Sequence, residues 1–375
     1  MGGTGHIGGA VLDLLVRSHP DLEVLVLVRD QLKTDKVKSK YPQVQCVVGD
    51  FTSLDLIEAT CRATDIVINA GPDITHDKAF EAALRGLQEG REGGDKKKPY
   101  FIHTSGAYLI CDLRQPGGVK EDKVWDDIED NEQLVSMPDK AVHRATDKIV
   151  LSASPQVNVA IVSPGGVTGI SPSVAHPLPI TTPALFQCVR VFDSTFVIGQ
   201  GENAVAMIHV HDLARMYMVL VNDALATLTG SKNSAISPSE PPFPLWGERA
   251  YYFGSAVDSL YRRDWMEGLA PLLVKHGVVS SSEVKSVSTA EVARRVLFGD
   301  DYDPDAPPPP LDSWATHIAN GFGANIRARA SKMRKLGWEP EYVSFADGMD
   351  KIITSYLELE KEGMNSSETT GTNSK

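Results

Sequence analysis

A chain of 375 residues with 42% hydrophobic content is long enough to bury a full core and to carry a smaller second lobe. Its 37 basic and 49 acidic residues leave a net charge of -12, which repels a phosphate backbone, so no nucleic-acid partner is expected. Four cysteines, Cys46, Cys61, Cys111 and Cys188, form no CxxC pair and suggest neither a disulfide framework nor a zinc knuckle, and no apolar run nears the roughly 18 residues of a membrane span. A cytoplasmic protein without a membrane partner is the expectation.

The chain opens on GGTGHIGG (2–9), followed by AVLDLLVRS, in which Ile7, Val11, Leu14 and Leu15 fall at helical spacing before His19-Pro20; this predicts a glycine turn opening a helix. Five short β-branched runs follow: EVLVLVRD (23–30), VQCVVGD (44–50), DIVINAG (65–71), YFIHTSG (100–106) and VNVAIVSPGG (157–166). Helical stretches separate them, DKAFEAALRGLQEG (77–90) and KAVHRATDKIVLSAS (140–154) among them. Near-continuous apolar strands alternating with helices predict an α/β fold, a doubly wound parallel sheet of the Rossmann type. The expected division is a nucleotide-binding domain over 1–163 and a mixed substrate-binding region over 164–350, with a returning strand and helix in 196–225. Segments 229–244 and 299–310 read as loops by composition, and 363–375 as a disordered tail.

Gly3, Gly5 and Gly8 satisfy GxGxxG, and Gly2, Gly5 and Gly8 satisfy GxxGxxG. Backbone amides of this turn, from Gly2 and Gly3 through Gly5, His6, Ile7 and Gly8, are candidates to hold a diphosphate at the helix mouth. Arg29-Asp30 ends the next strand about 20 residues on, where such folds read the adenosine ribose. An acidic residue there suits NAD and an arginine suits the 2′-phosphate of NADP, so Arg29 tilts the expectation to NADP with NAD left open.

Taken in order, GGTGHIGG, Asp50-Phe51, Asn69-Ala70-Gly71, Thr104-Ser105 and Ser163-Pro164-Gly165 resemble the extended short-chain dehydrogenase/reductase superfamily. The resemblance is narrower to its atypical branch, NmrA-like or NAD-dependent epimerase/dehydratase. IHVHDLA (208–214) and KMRKLGWEP (332–340) resemble later elements of that branch. The resemblance implies that Asp50, with Phe51, borders the adenine, that Asn69, Ala70 and Gly71 line the adenosine and phosphate path, and that Pro164 and Gly165 approach the nicotinamide. Two departures stand out. The strand that precedes the glycine turn in the family is absent, because Met1 directly precedes Gly2, and a truncated or misassigned product is the expectation. The family's catalytic tyrosine lies four residues before a lysine; here the lysine is Lys148 and Arg144 stands in the tyrosine's place. A guanidinium stays protonated and is no general base.

Ser105, with Thr104 beside it, is then the candidate to orient a substrate oxygen, Lys148 to fix the ribose, and Tyr108 or His143 to move the proton. His209 and His211 lack a third ligand nearby in sequence, so no metal is expected; His209 reads as a packing residue and Asp212 as the N-cap of the next helix. The acidic run EDKVWDDIEDNE (121–132) reads as a solvated loop near the site entrance. The function these residues imply is an NAD(P)-dependent oxidoreductase acting on a carbonyl/alcohol pair of a small molecule. A sugar-nucleotide epimerase or dehydratase and a non-catalytic NAD(P)-binding redox sensor are the alternatives, and a homodimer is left open.

Overall fold

The computed structural model describes residues 1–72, 74, 76–90, 97–111, 117–231, 243–298, 314–343 and 346–362. The first half runs α1 (His6–Ser18), β1 (Leu25–Val28), α2 (Gln31–Lys40), β2 (Gln45–Val48), α3 (Leu54–Arg62), β3 (Ile66–Asn69), α4 (Asp77–Glu89) and β4 (Tyr100–Thr104). After a 3-10 turn (Ala107–Ile110) come β5 (Trp125–Asp126), α5 (Asn131–Val135), α6 (Arg144–Ser152), β6 (Asn158–Pro164) and β7 (Gly166–Thr168). The chain continues with α7 (Thr182–Phe192), β8 (Thr195–Ile198), β9 (Ala204–His209), α8 (Val210–Thr229), β10 (Tyr251–Gly254) and β11 (Val257–Tyr261). Last are α9 (Arg262–Lys275), β12 (Val284–Val287), α10 (Thr289–Phe298), α11 (Trp314–Gly323), β13 (Ala328–Arg329), α12 (Ser331–Lys335) and α13 (Ala346–Lys361).

Each of the five apolar runs read from the sequence contains a strand, and each pairs in parallel. β10, β6, β4 and β3 form one four-stranded sheet, with Tyr251 opposite Ile161, Tyr100 opposite Asn158 and Ile66 opposite Tyr100. β1 and β2 form a separate pair, Leu25 opposite Gln45. In the dinucleotide fold, order 3-2-1-4-5-6, one strand lies between the elements that β1 and β3 represent here. That place is a seam. Met1 alone reaches along it, its amine donating to the Ile68 carbonyl at 2.6 Å and its carbonyl accepting from Ala70 N at 3.1 Å.

Helices cover both faces of the four-stranded sheet, as near-continuous apolar strands require. On one side Phe80, Leu84 and Val150 meet Phe101, Val159 and Ile161. On the other, Val11 of α1 and Leu213 and Tyr217 of α8 meet Ile102, Ala160 and Val162. The opposite flank of α1, through Leu12 and Val16, packs on Val26 and Val28 of β1, so α1 spans the seam by side chains. The fold class expected from the sequence is the one observed.

The expected boundary at 163/164 is crossed, because β10 returns to the first sheet beside β6. The helix foreseen in 196–225 also belongs to that sheet's cover, as α8. A second core gathers Phe186, Val189, Phe196, Leu269, Ile318, Phe322 and Ile353 from α7, β8, α9, α11 and α13. The tail 363–375 and most of the segments 229–244 and 299–310 lie outside the described residues. No helix among the described residues is long and apolar enough to cross a membrane.

The acidic run 121–132 is solvated at Glu121, Asp122, Lys123, Glu129 and Glu132 but not throughout. Asp126, Asp127, Asp130 and Asn131 are buried, because their side chains serve the backbone: Asp126 accepts from Ile128 N at 2.8 Å, Asp130 from Asp126 N at 2.8 Å, and Asp127 from both Lys332 N at 2.8 Å and Phe253 N at 3.0 Å. These bonds replace water for the buried carboxylates. The run ties β5 and α5 to β10 and α12.

A candidate dinucleotide site and a buried serine–aspartate pair

The glycine turn is built by exclusion. Gly2 has φ +75, and a Cβ placed there would lie 2.5 Å from the Ala70 carbonyl carbon and the Gly71 nitrogen. At Gly8 it would lie 2.1 Å from the Gly2 oxygen. Only glycine fits both positions. The turn closes through Gly5 N to Gly2 O at 2.9 Å, and α1 begins with Gly5 as N-cap, no capping side chain and no acidic residue in its first turn. First-turn amides of a helix have no intrahelical acceptor, and the helix dipole adds positive potential, so Gly3, His6, Ile7 and Gly8 stand at an anion-ready helix mouth.

A strap from the substrate side crosses this turn. Ser171 Oγ donates to the His6 carbonyl at 2.6 Å, Ser173 Oγ to the Thr4 carbonyl at 2.7 Å, and the Pro177 carbonyl lies 3.1 Å from His6 Nδ1. Ser173 sits so close that a Cβ at Gly9 would lie 2.5 Å from its own. Burial lowers the His6 pKa to about 4, with smaller downward pushes from His209 and His211, so the imidazole is neutral near pH 7.

On the adenosine side, Asp30 caps α2, accepting from Lys33 N at 2.8 Å; that bond, with the Lys33 charge, holds its carboxyl below the usual range. Arg29 beside it is exposed. Asp50 accepts from Thr52 Oγ1 at 2.6 Å and Thr52 N at 2.8 Å, and these bonds, with the nearby Arg29 charge, lower its pKa. The Phe51 ring lies where a Cβ on Gly71 would come within 2.3 Å. Asn69 turns inward: its Oδ1 accepts from Gly71 N at 3.3 Å and its Nδ2 lies 3.2 Å from His103 Nδ1. Ala70 is the wall against Gly2.

The end of β4 carries the chemistry-bearing cluster. Ser105 is buried, its Oγ donating to Asp147 Oδ2 at 3.1 Å, and His103 Nε2 lies 3.8 Å from Asp147 Oδ1. Thr104 Oγ1 donates to the Asn69 carbonyl at 2.7 Å and also bonds Tyr217 OH. His143 precedes α6 with φ +71, uncommon for a residue with a side chain. Its ring lies against Gly106, where a Cβ would meet Nε2 at 2.5 Å. A non-glycine residue held in this region clusters at functional sites.

Other candidates stand apart from this cluster. Tyr108 donates its hydroxyl to the His317 carbonyl at 3.1 Å, and burial pushes that phenol far above its ordinary value. Lys148 is half exposed and paired with Asp139 at 2.7 Å. Pro164 is buried and Gly165 packs on Ala206, where a Cβ would lie 2.2 Å from the carbonyl oxygen. Sequence reasoning passed over Asp147 and His103. The signal for Asp147 was its place three residues after Arg144, on the face of α6 that also buries Val150 and Leu151.

His209, not Asp212, caps α8: its Nδ1 accepts from His211 N at 3.2 Å. Asp212 is fully buried and instead accepts from Glu341 N at 3.0 Å and Tyr342 N at 2.9 Å, with Arg215 at 2.6 Å. The His209 ring stacks on Tyr342 at 4.2 Å. No three His, Cys, Asp or Glu side chains gather as a metal site among the described residues.

A parallel sheet with helices on both faces and a glycine turn opening the first helix is the architecture of the dinucleotide fold. Residues 2–169 match the family model described as NAD(P)H-binding. The oxidase ucsJ of Acremonium sp. is 26% identical over 372 residues, 97% of this chain and 97% of that protein. Among solved structures, the dTDP-glucose 4,6-dehydratase DesIV of Streptomyces venezuelae, a double mutant with NAD and DAU bound, superposes with a TM-score of 0.59 at 17% identity, covering 97% of this chain and 98% of that one. The UDP-glucose 4-epimerase of Thermotoga maritima, with UDP-glucose, gives 0.57 at 14% identity, covering 96% and 98%. At such identities the likeness to these structures is one of fold.

Proposed function

We propose that the protein is an NAD(P)-dependent oxidoreductase that interconverts a carbonyl and an alcohol on a small molecule, with Ser105 and Asp147 handling the proton. The observation that carries this reading is the buried Ser105–Asp147 contact, 3.1 Å long, at the carboxyl edge of the sheet system whose first turn is a bare diphosphate cradle. The similarity to an oxidase along 97% of the chain supports the reaction class.

Gly2 to Gly8 fit a dinucleotide diphosphate, and Phe51 and Gly71 form the adenine side. For the 2′ position, Asp30 is already engaged with Lys33 N while Arg29 is exposed, which favours NADP over NAD. When bound, the nicotinamide supplies or accepts the hydride. In oxidation, a substrate hydroxyl donates to Ser105 Oγ, whose own proton points along the line to Asp147. The carboxylate takes up one proton for each hydride given up, and reduction runs the same path backwards. Asn69 and His103 orient the pair from behind. Lys148, at the surface with Asp139, has no part in this scheme.

A cofactor-binding sensor without turnover draws on one observation, the surface position of Lys148. The test is tryptophan-fluorescence titration with NADPH and NADH, then NADPH oxidation over a panel of aldehydes and ketones. Ser105→Ala and Asp147→Asn are each expected to lower turnover by ~100-fold or more, the usual share of acid–base catalysis, with cofactor affinity unchanged within about twofold. Tight binding with no turnover on any compound would leave the sensor.

A further inference from the structure

α6 buries Arg144 and Asp147 on one face. Three residues apart on a helix, their side chains share that face, and the Arg144 charge also acts on Asp139. Arg144 is 9% exposed, and its Nε and Nη1 are buried without a hydrogen-bond acceptor. No ion pair of Arg144 occurs among the described residues. Arginines elsewhere have partners: Arg190 pairs with Glu360, Arg215 with Asp212, and Arg329 with Asp258. The equally buried Arg262 donates to the Gly321 carbonyl at 3.0 Å and lies over the rings of Trp265 and Phe322.

A guanidinium cannot shed its proton to escape burial. Left without an acceptor it opposes folding, and such a group persists where a ligand completes it. The planar partner of a guanidinium's planar donors is a carboxylate.

We propose that Arg144 binds a carboxylate of the substrate. The compound on which Ser105 and Asp147 act is then a carbonyl or hydroxy compound with a carboxylate close to the reacting carbon. This rests on the reading that Ser105 marks the reacting oxygen. The arrangement exchanges the family's proton-donating phenol for an anchoring cation, and proton transfer falls to the residue one turn further along the same face.

The test is calorimetric titration of the full chain, with and without saturating NADP, using oxamate, neutral oxamide and inorganic phosphate as probes. Oxamate is expected to bind at least tenfold more tightly than oxamide. Arg144→Gln is expected to weaken oxamate by ~30-fold or more, as when one partner of a buried charged pair is removed, and to leave NADP affinity within about twofold. Arg144→Lys, which keeps charge without the fork, is expected to fall between, and both variants are checked for an unchanged melting profile. Equal binding of oxamate and oxamide, tighter binding of phosphate, or a loss of NADP affinity without loss of oxamate would each overturn the proposal. Arg144-dependent oxamate binding with no NADPH oxidised on any 2-oxo acid keeps the carboxylate site and removes the oxidoreductase reading. Turnover of neutral ketones without Arg144-dependent oxamate binding does the reverse.

Discussion

At the scale of single residues, the site depends on groups held in particular protonation states. His6 illustrates the cost. Its pKa falls to about 4 by burial, against roughly 6.5 in an unfolded chain. Between these values the unfolded state binds the extra proton, so stability is full above about pH 6.5 and is lost progressively as pH falls towards 4. His6→Gln removes that titration. Melting temperatures measured from pH 7.5 to 4.5 are expected to fall less steeply for the variant than for the parent chain, and parallel slopes would contradict the assignment. His209, also lowered to about 4 by burial and by His211, retains part of the slope in both proteins.

Ser105 was legible because a hydroxyl at the end of a strand is a sequence-visible position. Asp147 left a weaker signal, its helical spacing with Val150 and Leu151 on the face that α6 buries. The familiar spacing drew attention to Lys148, which turns to the surface. A lysine's long apolar stem and strongly hydrated head favour that outcome, and Asp139 supplies its counter-charge there.

At the scale of elements, periodicity did most of the work. β-branched runs at 23–30, 44–50, 65–71, 100–106 and 157–166 contain the five strands, because a strand buried on both faces needs apolar residues at successive positions. Charge-rich segments were harder. EDKVWDDIEDNE has the composition of a solvated loop, yet its carboxylates substitute for missing backbone partners, an arrangement set by β10 and α12 more than 100 residues away. Helix ends divide similarly: Asp30 caps α2 as a local rule would have it, whereas His209 displaces Asp212 at the start of α8 because the 339–342 segment claims the aspartate. Asp30→Ala is expected to lower the denaturant midpoint at unchanged slope, as loss of a helix cap does. A shift in the slope instead would point to a change in the unfolded state.

The strap is an element-scale device as well. Ser171 and Ser173 fix the carbonyls of His6 and Thr4, which holds the turn in its ligand-ready shape before any ligand arrives. Ser173→Ala is expected to weaken NADPH binding by severalfold, chiefly through faster dissociation in stopped-flow fluorescence, since ordering of the turn then has to accompany binding. An unchanged dissociation rate would show that the turn needs no such support.

At the scale of the whole molecule, the four-stranded sheet and the β1–β2 pair share the cover of α1. The core of α7, β8, α9, α11 and α13 is tied to the first sheet through α11, whose His317 carbonyl receives Tyr108 and so anchors the turn after β4. Saturating cofactor, at about one hundred times its dissociation constant, is expected to add about 2.7 kcal/mol to stability, seen as a rise of several degrees in melting temperature with the preferred nicotinamide nucleotide and less with the other.

The seam between those sheets bears on more than cohesion. Among the described residues the β1–β2 pair meets the four-stranded sheet through side chains, with Leu12 and Val16 of α1 on Val26 and Val28, Val174 beside them and Tyr41 bonded to Asp13. A dinucleotide lying on the turn would have its adenosine on one plate and its nicotinamide on the other. The bound nucleotide then works as a cross-brace as well as a reagent, and the empty protein should breathe along that line, exchanging the amides of β1 and β2 for deuterium well before those of β4 and β6.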